Sequence, residues 1–206
     1  MRSWEICAAI ARERLIAIIR ADTAKRAGSD AKLLLHGGVR VLEVSLSTPQ
    51  ALDLISDLQT TVDDHVLIGA GTVLDAASAR LAAIAGAAFL VTPTLSSDVL
   101  RTARRYGLPV VCGAHTPTEA LTALELGADM VKVFPAVGYG PSGIRALAQT
   151  LPQVPLVPTG GVTLDAAHEY IAAGACAVGI GSELTAGAAA ADRLHELRSR
   201  LGSNTP

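Results

Sequence analysis

The chain has 206 residues, half of them hydrophobic and only 3% aromatic, with 17 basic and 19 acidic side chains and a formal net charge of -2. That length and aliphatic content suit one large globular domain over residues 1–206 and exclude disordered and fibrous classes. The balanced charge, without a long run of one sign, argues against nucleic acid as a partner.

The first fifteen residues, MRSWEICAAIARERL, read as an amphipathic helix over 3–13 rather than a signal peptide. No apolar stretch reaches the ~20 residues needed to cross a bilayer, so no membrane partner is expected. Cys7, Cys112 and Cys176 are widely spaced in apolar surroundings. They are expected to be reduced, buried thiols in a cytoplasmic protein.

Eight short β-branched runs follow in order: LIAIIR (15–20), VLEVSL (41–46), VLIGAGTV (66–73), FLVTPT (89–94), PVVCGAH (109–115), MVKVFP (130–135), PLVPTG (155–160) and AVGIGS (177–182). They start roughly 20 to 26 residues apart, with Ala- and Leu-rich helical stretches between them. Asp22, Thr48, Asp75, Thr116 and Thr163 are expected to cap the starts of helices, and glycines such as Gly107 to end them. Unbroken alternation of strand and helix implies a parallel sheet. Eight repeats close most naturally into an α/β (β/α)8 TIM barrel, with the N-terminal helix capping its bottom. The rival is an open doubly wound sheet, but the first strand is followed by RADT and lacks a glycine fingerprint.

In such a barrel the chemistry lies at the C-terminal ends of the strands. Strand six carries Lys132 within MVKVFP, and the chain has only two other lysines, Lys25 and Lys32, against 14 arginines. Alternation puts Met130, Lys132 and Phe134 on one face and the two valines on the other. Lysine, unlike arginine, can become an amine nucleophile when burial disfavours its charged form. A structural ion pair is the plainer account. Strand two carries Glu43 in the middle of an apolar run. It can be the partner of that ion pair or a tuned acid/base beside the lysine.

Arg20 ends strand one and can fork onto a carboxylate or phosphate, or pair with Asp22. GAGT after strand three offers Thr72. Gly160 and Gly161 after strand seven, with Gly181 and Ser182 after strand eight, form a candidate phosphate cradle completed by the following helix N-termini. His115 ends strand five and is a candidate for contacting the middle of a substrate. No His/Cys/Asp cluster has metal spacing, so neither a metal nor another cofactor is expected.

The motifs LIAIIRAD, GGVRVLEVSLSTPQA, IGAGTVL, VTPT, HTPTEALTALELGAD, VKVFPA, VPTGGVTLD and GIGSEL, taken together over about 15–184, resemble the class I 2-keto-3-deoxy-6-phosphogluconate aldolases. Relatives in that family cleave the phosphogalactonate epimer and 4-hydroxy-2-oxoglutarate. The resemblance implies a (β/α)8 barrel, a homotrimer, no metal, and cleavage of a phosphorylated 2-keto acid to pyruvate and an aldehyde. It also implies Lys132 as the Schiff-base lysine and Glu43 as the proton-transfer residue. Arg20 and Thr72 would hold the pyruvate carboxylate, and Pro93 and Phe134 would shape the pocket. Thr159 would lie beside the substrate hydroxyls, and Gly160, Gly161, Gly181 and Ser182 would take the phosphate. Many gluconate-type members carry an arginine where this chain has Ser47, leaving Arg20 as the carboxylate's cation. LSTPQ and TPT look galactonate-type, whereas VPTGG looks gluconate-type. A sugar-phosphate isomerase or epimerase barrel, or a non-catalytic sugar-phosphate binder, are the readings of other classes.

Overall fold

The computed structural model describes residues 1–185 and 190–202. Helix α1 (Ser3–Glu13) is followed by eight strands: β1 (Leu15–Ile19), β2 (Val41–Ser45), β3 (Leu67–Gly71), β4 (Leu90–Val91), β5 (Val110–Ala114), β6 (Met130–Val133), β7 (Leu156–Pro158) and β8 (Val178–Ile180). Between and after them run α2 (Ala24–His36), α3 (Ala51–Thr61), α4 (Ala76–Ile84), α5 (Ser97–Tyr106), α6 (Pro117–Glu125), α7 (Gly140–Thr150), α8 (Ala167–Ala172) and α9 (Ala190–Leu201). The sheet is parallel throughout, in the order β7-β6-β5-β4-β3-β2-β1-β8. Sequential strands are neighbours throughout, with β8 beside β1, so the strand order never reverses and this is the barrel and not the doubly wound sheet.

The ends of the sheet meet thinly. Between β7 and β8 there is one isolated bridge, Thr159 to Gly179, with a hydrogen bond from Cys176 N to Leu156 O at 2.9 Å below it. Gly179 has no Cβ where Thr159 leans across the seam; an added Cβ would overlap the threonine side chain, 2.8 Å from its Cγ2.

Period-2 alternation divides the aliphatic residues into two cores. Outward-facing Leu42, Val44, Ile68, Val131, Val133 and Leu156 pack under the helices. Inward-facing Ile16, Val41, Leu67, Phe89, Val111, Met130 and Val157 fill the lower barrel. There α1 closes the bottom by inserting Ile6, Ala9 and Ile10, as its amphipathic pattern led us to expect. Burying Ile10 completely stabilises this plug by about 1.5–3 kcal/mol.

Local signals were partly displaced. Asp75 and Thr116 cap α4 and α6 as expected, Thr116 in a reciprocal capping box with Glu119. Thr23, not Asp22, caps α2, its hydroxyl accepting from Arg26 N at 3.2 Å. Thr48 does not cap α3, which begins later at Ala51 behind Gln50. The Thr48 hydroxyl instead accepts from Ala21 N at 3.3 Å, joining the loops above β1 and β2. Thr163 accepts from Ala166 N at 3.2 Å in a turn before α8 rather than at its cap. Gly107 ends α5 in the left-handed region at φ 69°, a conformation that favours glycine.

The chain closes on LGSNTP. Its first residue, Leu201, is buried in α9, and its carbonyl accepts from Arg14 Nη1 at 2.7 Å; residues 203–206 lie outside the described residues. The three cysteines are unpaired. Burial pushes the Cys7 thiol up to about 12 and Cys176 to about 11. No helix among the described residues is long and apolar enough to cross a membrane.

Candidate active site

Alternation along β6 turns Lys132 into the barrel above Met130, while Val131 and Val133 join the outer core. Only 4% of Lys132 is exposed, and its Nζ lies 5.0 Å from the centroid of the Phe134 ring. In β2 the same rule places Val41, Glu43 and Ser45 inward. Glu43 is 1% exposed, and its Oε1 is a buried acceptor without a hydrogen-bond partner. The carboxylate is seated against β3 because Gly71 lacks a side chain: a Cβ there would overlap the Glu43 carboxylate and stand 2.5 Å from its Cγ.

The two buried groups do not form the structural ion pair that was the plainer account. No salt bridge within 4.0 Å joins them among the described residues. Burial raises the Glu43 pKa above its ordinary 4.5, and the charges of Lys132 and then Arg20 pull it back. A carboxyl with an unfilled acceptor and two cations near it can both take and return a proton.

Arg20, just beyond β1, reaches across to β3. Its Nη2 donates to Thr72 Oγ1 at 3.4 Å, and its ion pair with Asp22 is not formed. Thr72 has φ 57°, an uncommon left-handed conformation for a β-branched residue. Its hydroxyl is 2.8 Å from that of Ser45, which is 2.8 Å from that of Ser47. This hydroxyl chain was not anticipated, although Ser45 shares the inward face of Glu43 and that parity was visible in the sequence.

A cavity of about 340 Å³ opens above Lys132 and straddles the β7–β8 seam. Arg20, Phe134, Thr159, Gly160, Gly161, Gly181 and Ser182 line it with the lysine, so all four candidate phosphate-cradle residues converge. Gly160 (φ 82°) passes over Phe134, and a Cβ there would be 2.8 Å from the ring. The helices that follow the cradle are shorter than expected. A 3-10 turn at Ser182–Leu184 follows β8, and α8 starts only at Ala167. The cradle is therefore formed by loop backbone more than by helix ends.

Thr72 and Pro93 do not line this cavity. Pro93 lies after β4, close over Gly113, where a Cβ would run into the backbone at Pro93 and Thr94. His115 is also outside the cavity. Its N–H donates to Glu119 Oε2 at 2.9 Å, its carbonyl accepts from the Tyr139 hydroxyl, and its ring stands edge-on to Tyr139 at 5.4 Å. It anchors the start of α6. Glu183 lines the cavity beside the cradle; the sequence reading passed over it within GIGSEL. Among the described residues no group of three His, Cys, Asp or Glu side chains could hold a metal ion.

Comparison with known proteins agrees with this arrangement. The family model described as "Aldolase: KDPG and KHG aldolase" matches residues 6–196. The chain is 39% identical to 2-dehydro-3-deoxy-6-phosphogalactonate aldolase of Escherichia coli K12, over 82% of this chain and 83% of that protein. It is 37% identical to 2-dehydro-3-deoxy-phosphogluconate aldolase of Treponema pallidum, over 80% and 78% respectively. Among solved structures, it superposes with a TM-score of 0.81 on a chain of a designed protein cage made by fusing symmetric oligomeric domains (35% identity, 92% of this chain, 70% of that one). It superposes equally well, at 0.81, on KDPG aldolase of Legionella pneumophila holding pyruvate as a covalent carbinolamine (29% identity, 96% and 97%). With a family match across nearly the whole barrel and Lys132 and Glu43 buried inside it, the chain belongs to the KDPG and KHG aldolase family.

Proposed function

We propose that this aldolase cleaves 2-keto-3-deoxy-6-phosphogluconate to pyruvate and glyceraldehyde 3-phosphate by Schiff-base chemistry at Lys132, with the galactonate epimer and 4-hydroxy-2-oxoglutarate as the alternative substrates. One observation carries the reading: a lysine amine lining a cavity rimmed by the two glycine loops and an unpartnered carboxyl oxygen are both buried inside one barrel. The Lys132 amine attacks the C2 ketone. Glu43 moves protons as the carbinolamine loses water and becomes an iminium, which then withdraws electrons. Glu43 takes the proton of the C4 hydroxyl, the C3–C4 bond breaks, and the electron pair passes into the enamine. The aldehyde leaves with its new carbonyl. Protonation of the enamine at C3 and hydrolysis of the imine release pyruvate and restore the lysine.

In this reading Arg20, oriented by Thr72, pairs with the substrate carboxylate, and Ser45 and Ser47 steady Thr72. Phe134 and Pro93 bound the pocket, Thr159 faces the substrate hydroxyls, and Gly160, Gly161, Gly181 and Ser182 receive the phosphate. No metal or organic cofactor takes part in this chemistry. A sugar-phosphate isomerase would need a second acid/base at the strand ends, and the one carboxylate among the described residues lining the cavity is Glu183, above the cradle. Cytoplasmic location, a single-domain chain and a homotrimer complete the proposal. The trimer is supported by the structural likeness to symmetric oligomeric domains and by a partly apolar exposed surface around α4 that includes Leu74, Leu81 and Ile84.

The test is borohydride trapping with pyruvate, followed by intact mass and peptide mapping. A reduced pyruvate imine, about 72 Da heavier, should appear on the peptide holding Lys132 and vanish in Lys132→Arg. Labelling of Lys25 or Lys32, or no label at all, would refute the assignment.

A further inference from the structure

The phosphate cradle has an unusual foundation. Its two loops continue β7 and β8, the pair of neighbouring strands with the least backbone pairing in the barrel. Six of the other adjacent pairs share ladders of two or more residue pairs, and β3 and β4, with the one pair Ala70–Leu90, are also tied by bonds from Ala88 N to Ile68 O, Ala70 N to Phe89 O and Val73 N to Val91 O. The β7–β8 pair shares the single Thr159–Gly179 bridge and the Cys176 N to Leu156 O bond. Both ties lie at or below the level of Thr159. Above it, where Gly160, Gly161, Gly181 and Ser182 face the cavity, the backbone–backbone bonds of the β7 loop run to the turn after β6, from Ala136 N to Thr159 O at 2.8 Å and from Val137 N to Gly160 O at 3.0 Å. None of them runs to the β8 loop among the described residues.

One side chain does span the gap. Glu183, in the turn after Gly181 and Ser182, accepts a hydrogen bond on Oε2 from the backbone N–H of Leu164 at 2.9 Å. Leu164 is three residues past Gly161, and the intervening Val162 and Thr163 line the same cavity as Glu183. A carboxylate is otherwise an odd neighbour for a phosphate, since like charges repel. Its placement makes sense if its task is to hold a loop rather than to touch the ligand. A charge-assisted bond to a backbone amide is among the stronger ones available for that task.

We propose that Glu183 is a positioning residue that ties the two halves of the phosphate cradle together across the open β7–β8 seam. It thereby sets affinity for the phosphorylated end of the substrate, and it takes no part in carbon–carbon cleavage. The idea rests on the aldolase reading above and assigns a role to a residue of that same site.

The experiment compares the phosphorylated 2-keto-3-deoxy acid with unphosphorylated 4-hydroxy-2-oxoglutarate in steady-state assays of the full chain, alongside Glu183→Ala and Glu183→Gln. Glu183→Ala should raise KM for the phosphorylated substrate by about 3- to 10-fold, the usual worth of one lost hydrogen bond. It should leave kcat within about twofold and the unphosphorylated substrate unaffected. Glu183→Gln keeps a carbonyl acceptor at the same reach and should restore KM to within about twofold of the parent. The role is overturned if Glu183→Ala changes neither KM, if both substrates suffer alike, if kcat falls with KM constant, or if the glutamine variant behaves like alanine. Pyruvate trapping on each protein separates the two levels of failure. Trapping that persists while the KM pattern fails sinks only the role of Glu183. An unmodified parent protein sinks the aldolase site and this role with it.

Discussion

Gly71→Ala tests whether the seat of Glu43, and not merely its presence, governs turnover. Gly71 is not in the left-handed region, so its backbone accepts alanine. The new methyl, however, would stand 2.5 Å from Glu43 Cγ and closer still to the carboxylate. Ordinary carbon contacts lie near ~3.5–4.0 Å, so the glutamate side chain must withdraw by about 1 Å. A displacement of that size in a reacting group costs on the order of 10²-fold in rate. Gly69→Ala is the matched control. It lies on the same strand and the same inward face, but its methyl meets the ring of fully buried Phe89 at 2.5 Å, one layer below the site. A rigid buried ring cannot swing aside, so overpacking should cost about 1–3 kcal/mol. For a chain of this length that lowers Tm by about 2–12 °C. Turnover by a lactate-dehydrogenase-coupled pyruvate assay, run beside thermal denaturation, separates the two variants. Gly71→Ala should lose about a hundredfold in kcat with a modest Tm change, and Gly69→Ala should show the larger Tm loss with kcat within a few-fold. Full turnover in Gly71→Ala, or equal loss of kcat in both, would show that the position of Glu43 is not limiting.

Other expectations follow from the same geometry. Burial raises the folded pKa of Glu43 above 4.5, so the folded chain holds this proton more tightly than the unfolded chain. That contribution to stability is complete below 4.5 and is lost as pH rises through the folded value. Glu43→Gln cannot ionise, so its Tm relative to the parent should climb as pH increases from about 4.5; a difference independent of pH would refute the buried-carboxyl account. The same variant should turn over about 10²- to 10⁴-fold more slowly if Glu43 moves protons in the reaction. Thr116→Ala removes the hydroxyl that accepts from Glu119 N at 3.2 Å and breaks the capping box of α6. It should cost about 0.5–2 kcal/mol with pyruvate formation unchanged, since the cap does not line the cavity; a fall in kcat would place His115 and its loop back in the mechanism.

Much of this protein is written in local patterns. Eight β-branched runs with helical stretches between them dictate a parallel β/α repeat, because each run is too apolar to leave one face in water and each helix has one face to bury. The parity of MVKVFP and VLEVSL turns Lys132 and Glu43 to the same side of the sheet wherever the valines and Leu42 pack under helices. Those signals act over two to four residues and survive any detail of assembly. Thr48 and Asp22 show where such signals fail: each is a good capping residue beside a helix, yet a neighbour's backbone or a later helix start offered a better arrangement.

Decisions that depend on residues far apart in the chain belonged to the tertiary structure. Whether Lys132 and Glu43 would neutralise one another or stand apart was set by how β2 and β6 face each other across the barrel, with Gly71 making room for the carboxylate. The hydroxyl chain from Ser47 through Ser45 to Thr72 and on to Arg20 joins three strand ends. The thin seam between β7 and β8, and the reach of Glu183 across it, arise only when the sheet closes on itself. Side-chain direction along a strand is a matter of backbone geometry and can be read from sequence. Distances between strands are a matter of packing every side chain at once, and only the folded barrel determines them.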